Sequence, residues 1–178
     1  MVQDVIKFWF EETEPSQWWQ KDKQFDREIA ARFGRLHDAA VKGELSDWRD
    51  TPEGRLAEII VLDQFSRNIY RDRPEAFAYD ALAVVLTQEA IRSGDDKKLP
   101  IEQRGFLYMP LMHSESLQLH DTAMKVFDQP GLEGNYEAEV KHKAIIEKFG
   151  RYPHRNQILG RESTLDELGF LKMPGSSF

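Results

Sequence analysis

Apolar residues recur at spacings of three and four along almost the whole chain, and strict alternation is nearly absent. That period lines one face of a helix, not one face of a strand. It predicts helices over 3–12, 22–42, 52–71, 75–93, 101–109, 115–128, 136–149 and 164–170. In the second of these, Phe25, Ile29, Phe33, Leu36 and Ala40 make the stripe, Gly34 weakens the middle and Gly43 ends it. Thr51-Pro52 reads as an N-cap followed by proline at the first helical position. Thr164-Leu165-Asp166-Glu167 reads as a capping box, and Gly150 as a helix end. Pro110 removes a backbone donor and clashes with the preceding turn, so the segment opened by Pro100 is expected to kink or split there, beside His113-Ser114-Glu115.

Consecutive helices with short loops pack as antiparallel hairpins, so the expected fold class is all-α, a bundle or short solenoid of helical hairpins. A length of 178 residues fits one domain spanning 1–178. The chain has no cysteine, which excludes a disulfide framework, a Cys-ligated zinc and a cysteine nucleophile. No apolar run approaches the roughly 18 to 20 residues that cross a bilayer. The start Met1-Val2-Gln3-Asp4 lacks a basic leader region, so a cytoplasmic location without membrane contact is expected. With 24 Lys+Arg against 31 Asp+Glu the net charge is −7, which argues against general nucleic-acid binding. Neither G-x-G-x-x-G nor a Walker A loop is present, and no motif names a cofactor.

Polar residues on apolar stripes narrow the search for chemistry. Leu56, Ile60, Asp63, Arg67 and Tyr70 follow one helical face, so Asp63 and Arg67 point along an otherwise apolar surface. A structural ion pair at i, i+4 explains that placement, and so does a cleft into which Asp63, Gln64, Arg67 and Asn68 project. His142 and His120 also lie on apolar stripes, where core packing is the simpler account. His113 differs because Ser114 and Glu115 stand beside it at the expected break. No standard metal-ligand spacing appears, so no metal site is expected.

Between Lys141 and Arg161, six basic residues face only Glu147, a net +5 inside a chain of −7. Such an island suits capture of a small anion or of an acidic partner segment, because local potential steers encounter. Pro153 stiffens the turn after Gly150, and His154, Arg155 and Asn156 are presented at its far side. A basic loop bridged to the protein's own acidic surface is the plainer alternative.

Three stretches carry a resemblance: Leu62-Asp63-Gln64-Phe65-Ser66-Arg67-Asn68-Ile69-Tyr70-Arg71, Phe106-Leu107-Tyr108-Met109-Pro110-Leu111-Met112-His113-Ser114-Glu115, and Phe149-Gly150-Arg151-Tyr152-Pro153-His154-Arg155-Asn156 with Leu159-Gly160-Arg161. In this order, with Phe8-Trp9-Phe10 before and Phe170-Leu171 after, they closely resemble the bacterial domain of unknown function 924 family over nearly the whole chain. The resemblance implies a tetratricopeptide-like helical fold and brings no reaction with it.

Two functions compete. In the first, Asp63, His113, Glu115 and His154 supply acid-base groups, and Gln64, Arg67, Asn68, Arg151, Arg155 and Asn156 bind a small anionic ligand, with hydrolytic or proton-transfer chemistry open to the set. His154 is the expected proton-transfer group. In the second, the chain is a tetratricopeptide-like interaction module, docking an acidic or amphipathic partner segment through the basic island and through Trp18, Trp19 or Trp48. The first requires the three motifs to converge.

Overall fold

Every residue from Leu56 to Ser66 is buried in the computed structural model, which describes residues 1–178. A helix enclosed on all sides belongs at the centre of a fold, not on its surface. The segment begins as α3 (Pro52–Ile60), passes through a π-helical turn (Val61–Phe65) and ends as α4 (Ser66–Ile69). Thr51 caps it, its hydroxyl oxygen accepting from the Gly54 N–H at 3.1 Å. A Cβ on Gly54 would lie 1.9 Å from the Trp48 carbonyl oxygen, so only glycine permits this entry.

Around that axis pack α1 (Val2–Lys7, continued by a π-helical Phe8–Glu12), α2 (Lys23–Val41), α5 (Asp80–Ser93) and α6 (Ile101–His113). The next layer is the hairpin of α7 (Leu117–Phe127) and α8 (Glu133–Phe149), joined to α6, and the short α9 (Leu165–Phe170) follows. There are no strands, so the all-α class holds. No helix is long and apolar enough to cross a membrane. Phe8, Trp9, Phe25, Phe33 and Phe65 form the heart of the core, with Phe33 and Phe65 at 4.9 Å between ring centroids. Tilted aromatic pairs of this kind add about 0.5–1.5 kcal/mol each beyond their burial.

The local signals mostly land where the sequence puts them. Thr51 and Thr164 cap α3 and α9, the Thr164–Glu167 box closes in both directions, and Gly150 ends α8 in the left-handed conformation at φ 69°. Three boundaries differ for physical reasons. Helix α6 runs through Pro110 to His113 because Gly105 to Met112 are all buried and packing outweighs one lost backbone bond; the Thr87 hydroxyl donates to the neighbouring Leu107 carbonyl at 2.8 Å. The chain breaks at Ser114 instead, which leaves His113 as the last helical residue. The helix expected from residue 75 starts at Asp80, after a 3-10 turn at Pro74–Ala76, and α8 starts three residues early at Glu133.

Candidate functional site

The π-helical turn carries one residue more than an α-turn, and such turns concentrate at functional positions. Here it brings Asp63 into the interior. Its carboxylate receives the Gln64 amide at 2.6 Å and His113 Nδ1 at 2.7 Å, and Arg67 Nη1 lies 3.2 Å away. Burial alone would raise the Asp63 pKa. The positive charge of Arg67 and the contact with His113 overcome it and hold the group well below the usual carboxylate range. An ionised carboxylate only accepts, so His113 Nδ1–H must be the donor. Burial, opposed by Asp63, lowers the His113 pKa below its ordinary value, so the ring is neutral at pH 7. Its free lone pair then sits on Nε2, which makes no hydrogen bond within the protein, on a side chain 13% exposed.

Two arginines flank this pair. Arg67 grips Asp80 with both terminal nitrogens, at 3.0 and 3.1 Å, and donates to the Asp63 carbonyl at 2.9 Å. Arg155 donates to the His113 carbonyl at 2.8 Å and reaches Asp80 at 3.4 Å. Its guanidinium lies between two aromatic faces, 4.5 Å from the Phe77 centroid and 4.7 Å from that of Tyr152. Such stacking suits the weakly hydrated, planar guanidinium. Arg155 is only 5% exposed, and its Nε has no partner. Two carboxylates thus face two guanidiniums, and directed donors, not surplus charge, define the cluster.

Glu115 stands next to it. Both of its oxygens hold Arg161, at 2.7 and 2.9 Å, and it accepts the Tyr152 N–H at 2.8 Å. Behind lies a buried polar group in which the Tyr152 hydroxyl donates to the Met112 carbonyl at 2.5 Å, His120 Nε2 meets the Ser114 carbonyl at 2.8 Å and that hydroxyl at 3.2 Å, and His120 Nδ1 meets Glu139 at 2.6 Å. Burial raises the Glu139 pKa against the pull of His120, and its second oxygen has no partner. His154 has no carboxylate partner at all. It packs on Tyr152 and Phe178, its Nδ1 is buried and unpartnered, and burial with the Arg155 charge pushes its pKa down to about 4.

The three motifs therefore meet: Asp63 and Arg67 from the π turn and α4, His113 and Glu115 from the end of α6, and Arg155 and His154 from the turn after α8. The remaining candidates do not join them equally. Gln64 supports Asp63 and also touches the Met109 sulfur at 3.5 Å. Asn68 faces α2, donating to Asp26 at 2.8 Å beside Arg71, which grips the same carboxylate. Arg151 is bound to Glu167 and the Glu162 carbonyl. Asn156 ties Ser163 and Glu167 to Arg161. The arginines of the +5 island are thus taken up by the protein's own acids, with Glu167 depressed to about 2 chiefly by its bonds to Arg151. Asp80 and Phe77 lie outside the three motifs and were missed as site residues, and Tyr152, although within the third motif, was not singled out. No group of three or more His, Asp or Glu side chains is placed to hold a metal ion.

An all-helical protein with a buried Asp-His-Arg cluster at one helical seam is the class that fold and site define. The chain belongs to the family described as bacterial protein of unknown function, DUF924, whose pattern matches residues 5–175. It is similar to the solved structure of the protein of unknown function ATU0120 from Agrobacterium tumefaciens, with 36% identity, 96% of each chain covered and a TM-score of 0.91. No curated protein matches the sequence.

Proposed function

We propose that the cluster binds a small anionic ligand and moves a proton on it, with His113 as the acid-base group and Arg67 and Arg155 as donors to anionic oxygens. The observation that carries this reading is His113 itself: Nδ1 held by a buried carboxylate at 2.7 Å, Nε2 left without a protein partner. A carboxylate behind an imidazole fixes its tautomer and stabilises the imidazolium that forms when Nε2 takes a proton. His154 fits that role less well. It lacks an orienting acid, and a pKa near 4 makes it a weak base.

Asp63 and Asp80 neutralise the two arginines and Asp80 already takes the Arg67 fork, so an anionic ligand competes with Asp80 for these donors, and planar or tetrahedral oxyanions suit the same forked geometry. The test is a thermal-shift screen of small carboxylates and phosphate esters, followed by turnover assays on any that bind. Positioned acid-base groups contribute about 10²–10⁴-fold, so His113→Gln should cost at least 100-fold in turnover. A screen with no anionic binder, or a His113→Gln protein of undiminished activity, overturns the reading.

A second reading, a tetratricopeptide-like module docking a partner segment, draws on Trp19, which is 62% exposed while stacked flat on Phe106. The basic island speaks against an acidic partner at that surface, since Arg151, Arg155 and Arg161 already hold Glu167, Asp80 and Glu115.

A further inference from the structure

Beside the Arg-His cluster, the segment after α9 folds back over the end of the α7–α8 hairpin. Gly175 reverses the chain at φ 77°, and the Ser176 hydroxyl donates to the Leu171 carbonyl at 3.2 Å. Phe178 then lays its ring against three others: His142 at 3.9 Å, His154 at 4.5 Å and the edge of Tyr152 at 5.2 Å between centroids. A cavity of about 250 Å³ adjoins it, lined in part by Ala138, His142, Ile145 and Phe178. Phe178 itself is 53% exposed, so one face of its ring is held and the other is open.

The walls of this slot are unusual for a place filled by a protein's own side chain. The polar Nδ1 of His154 is buried without a partner. His142 is bonded only through Nδ1, to the Ala138 carbonyl at 2.7 Å. A phenyl ring can satisfy neither nitrogen left over. The third wall, Tyr152, also carries Arg155 on its ring, so slot and cluster share one side chain.

We propose that Phe178 is a displaceable stopper in a ligand slot, and that the slot between His142, His154 and Tyr152 takes a planar aromatic or heteroaromatic group. Resting on the reading of the cluster as an anion site, the ligand is then an aryl or heteroaryl anion, its ring in the slot and its charged end at Arg67 and Arg155. The unpartnered imidazole nitrogens give a heteroaromatic donor an advantage over a phenyl ring.

Nuclear magnetic resonance titrations with phenol, inorganic phosphate and phenyl phosphate test the two halves separately. Phenol should shift the ring signals of His142 and His154 in Phe178→Ala, binding at least fivefold more tightly than to wild type or to Phe178→Leu, in which leucine refills the slot. Phenol that leaves those signals unmoved in Phe178→Ala, or that binds all three proteins alike, overturns the slot. A second readout needs no variant: saturating phenyl phosphate on wild-type protein should move the Phe178 ring signals to those of a free side chain, and unchanged signals count against displacement. Inorganic phosphate should move the His113 signals. If it does not, while phenol still binds Phe178→Ala, the anion reading falls and the aromatic slot stands.

Discussion

Asp63 Oδ1 lies 2.7 Å from His113 Nδ1, although the two residues are 50 positions apart and belong to different helices. The contact makes a central buried helix and the end of α6 into one unit, and each partner sets the other's protonation. Removing Asp63 leaves Arg67 and His113 without their buried acceptor. Breaking a buried pair of this kind costs about 3–5 kcal/mol, so Asp63→Ala should lose that much in urea denaturation. Asp63→Asn keeps the shape and removes the charge that raises the His113 pKa, so that pKa should fall further when titrated by nuclear magnetic resonance.

Arg155→Ala reads from the sequence as a mild change to a surface charge. Burial reverses that expectation. With 5% exposure, two aromatic faces and the His113 carbonyl depending on it, the residue helps hold the turn after α8 against α6. Leaving buried groups unpaired costs about 1–3 kcal/mol, and a calorimetric transition lowered accordingly is the expected result. Arg155→Lys should recover only part of it, since an ammonium cannot reproduce the stacked fork.

Acid should destabilise the protein before its carboxylates titrate. Burial lowers the pKa of His37 and His113 and brings His142 to about 3 and His154 to about 4, against about 6.5 in an unfolded chain. As pH falls, the unfolded state takes up these protons first. Their contribution is therefore complete above about pH 6.5 and is lost progressively as pH drops through the folded values toward 4 and below. Urea midpoints at pH 7.5, 6 and 5 should decline in that order, and His154→Gln should flatten the decline.

Two glycine substitutions should have opposite signs. A methyl group at Gly54 meets the Trp48 carbonyl at 1.9 Å, and backbone cannot yield as a flexible side chain does. Gly54→Ala should cost at least the roughly 1–3 kcal/mol of an overpacked site. Gly34 lies within α2 with nothing within 4 Å of an added Cβ. Gly34→Ala should gain about 0.5–1 kcal/mol from helix propensity. Thermal midpoints of the two variants, measured side by side, check both.

The helical class, most caps and the convergence of the three motifs were legible because they depend on local spacing and on antiparallel packing. Asn68, Arg151 and Asn156 show where that legibility stops. Their types suit a ligand site, but Asp26 and Glu167 claim them, and a carboxylate's choice of partner is set by distances that a sequence does not contain. Asp80 was missed for the converse reason: nothing marks it until the turn at Pro74–Ala76 shortens the helix and makes it a first residue. Pro110 misled because a strong local rule was outweighed by the burial of its whole segment.

The π turn at Val61–Phe65 also bears on which changes of length the chain tolerates. One residue of an α-helix corresponds to roughly 100° of rotation. A π turn absorbs its extra residue without turning the helices that flank it, so a deletion within α3 would swing every side chain beyond it by about that angle relative to those before it, while closing the turn itself would displace Asp63 from its place within it. Asp63 and Arg67 would then no longer share a seam with His113 and Asp80. The cluster is therefore keyed to an odd tooth in a gear, and the number of residues between Leu56 and Ile69 is as much a part of the site as their types.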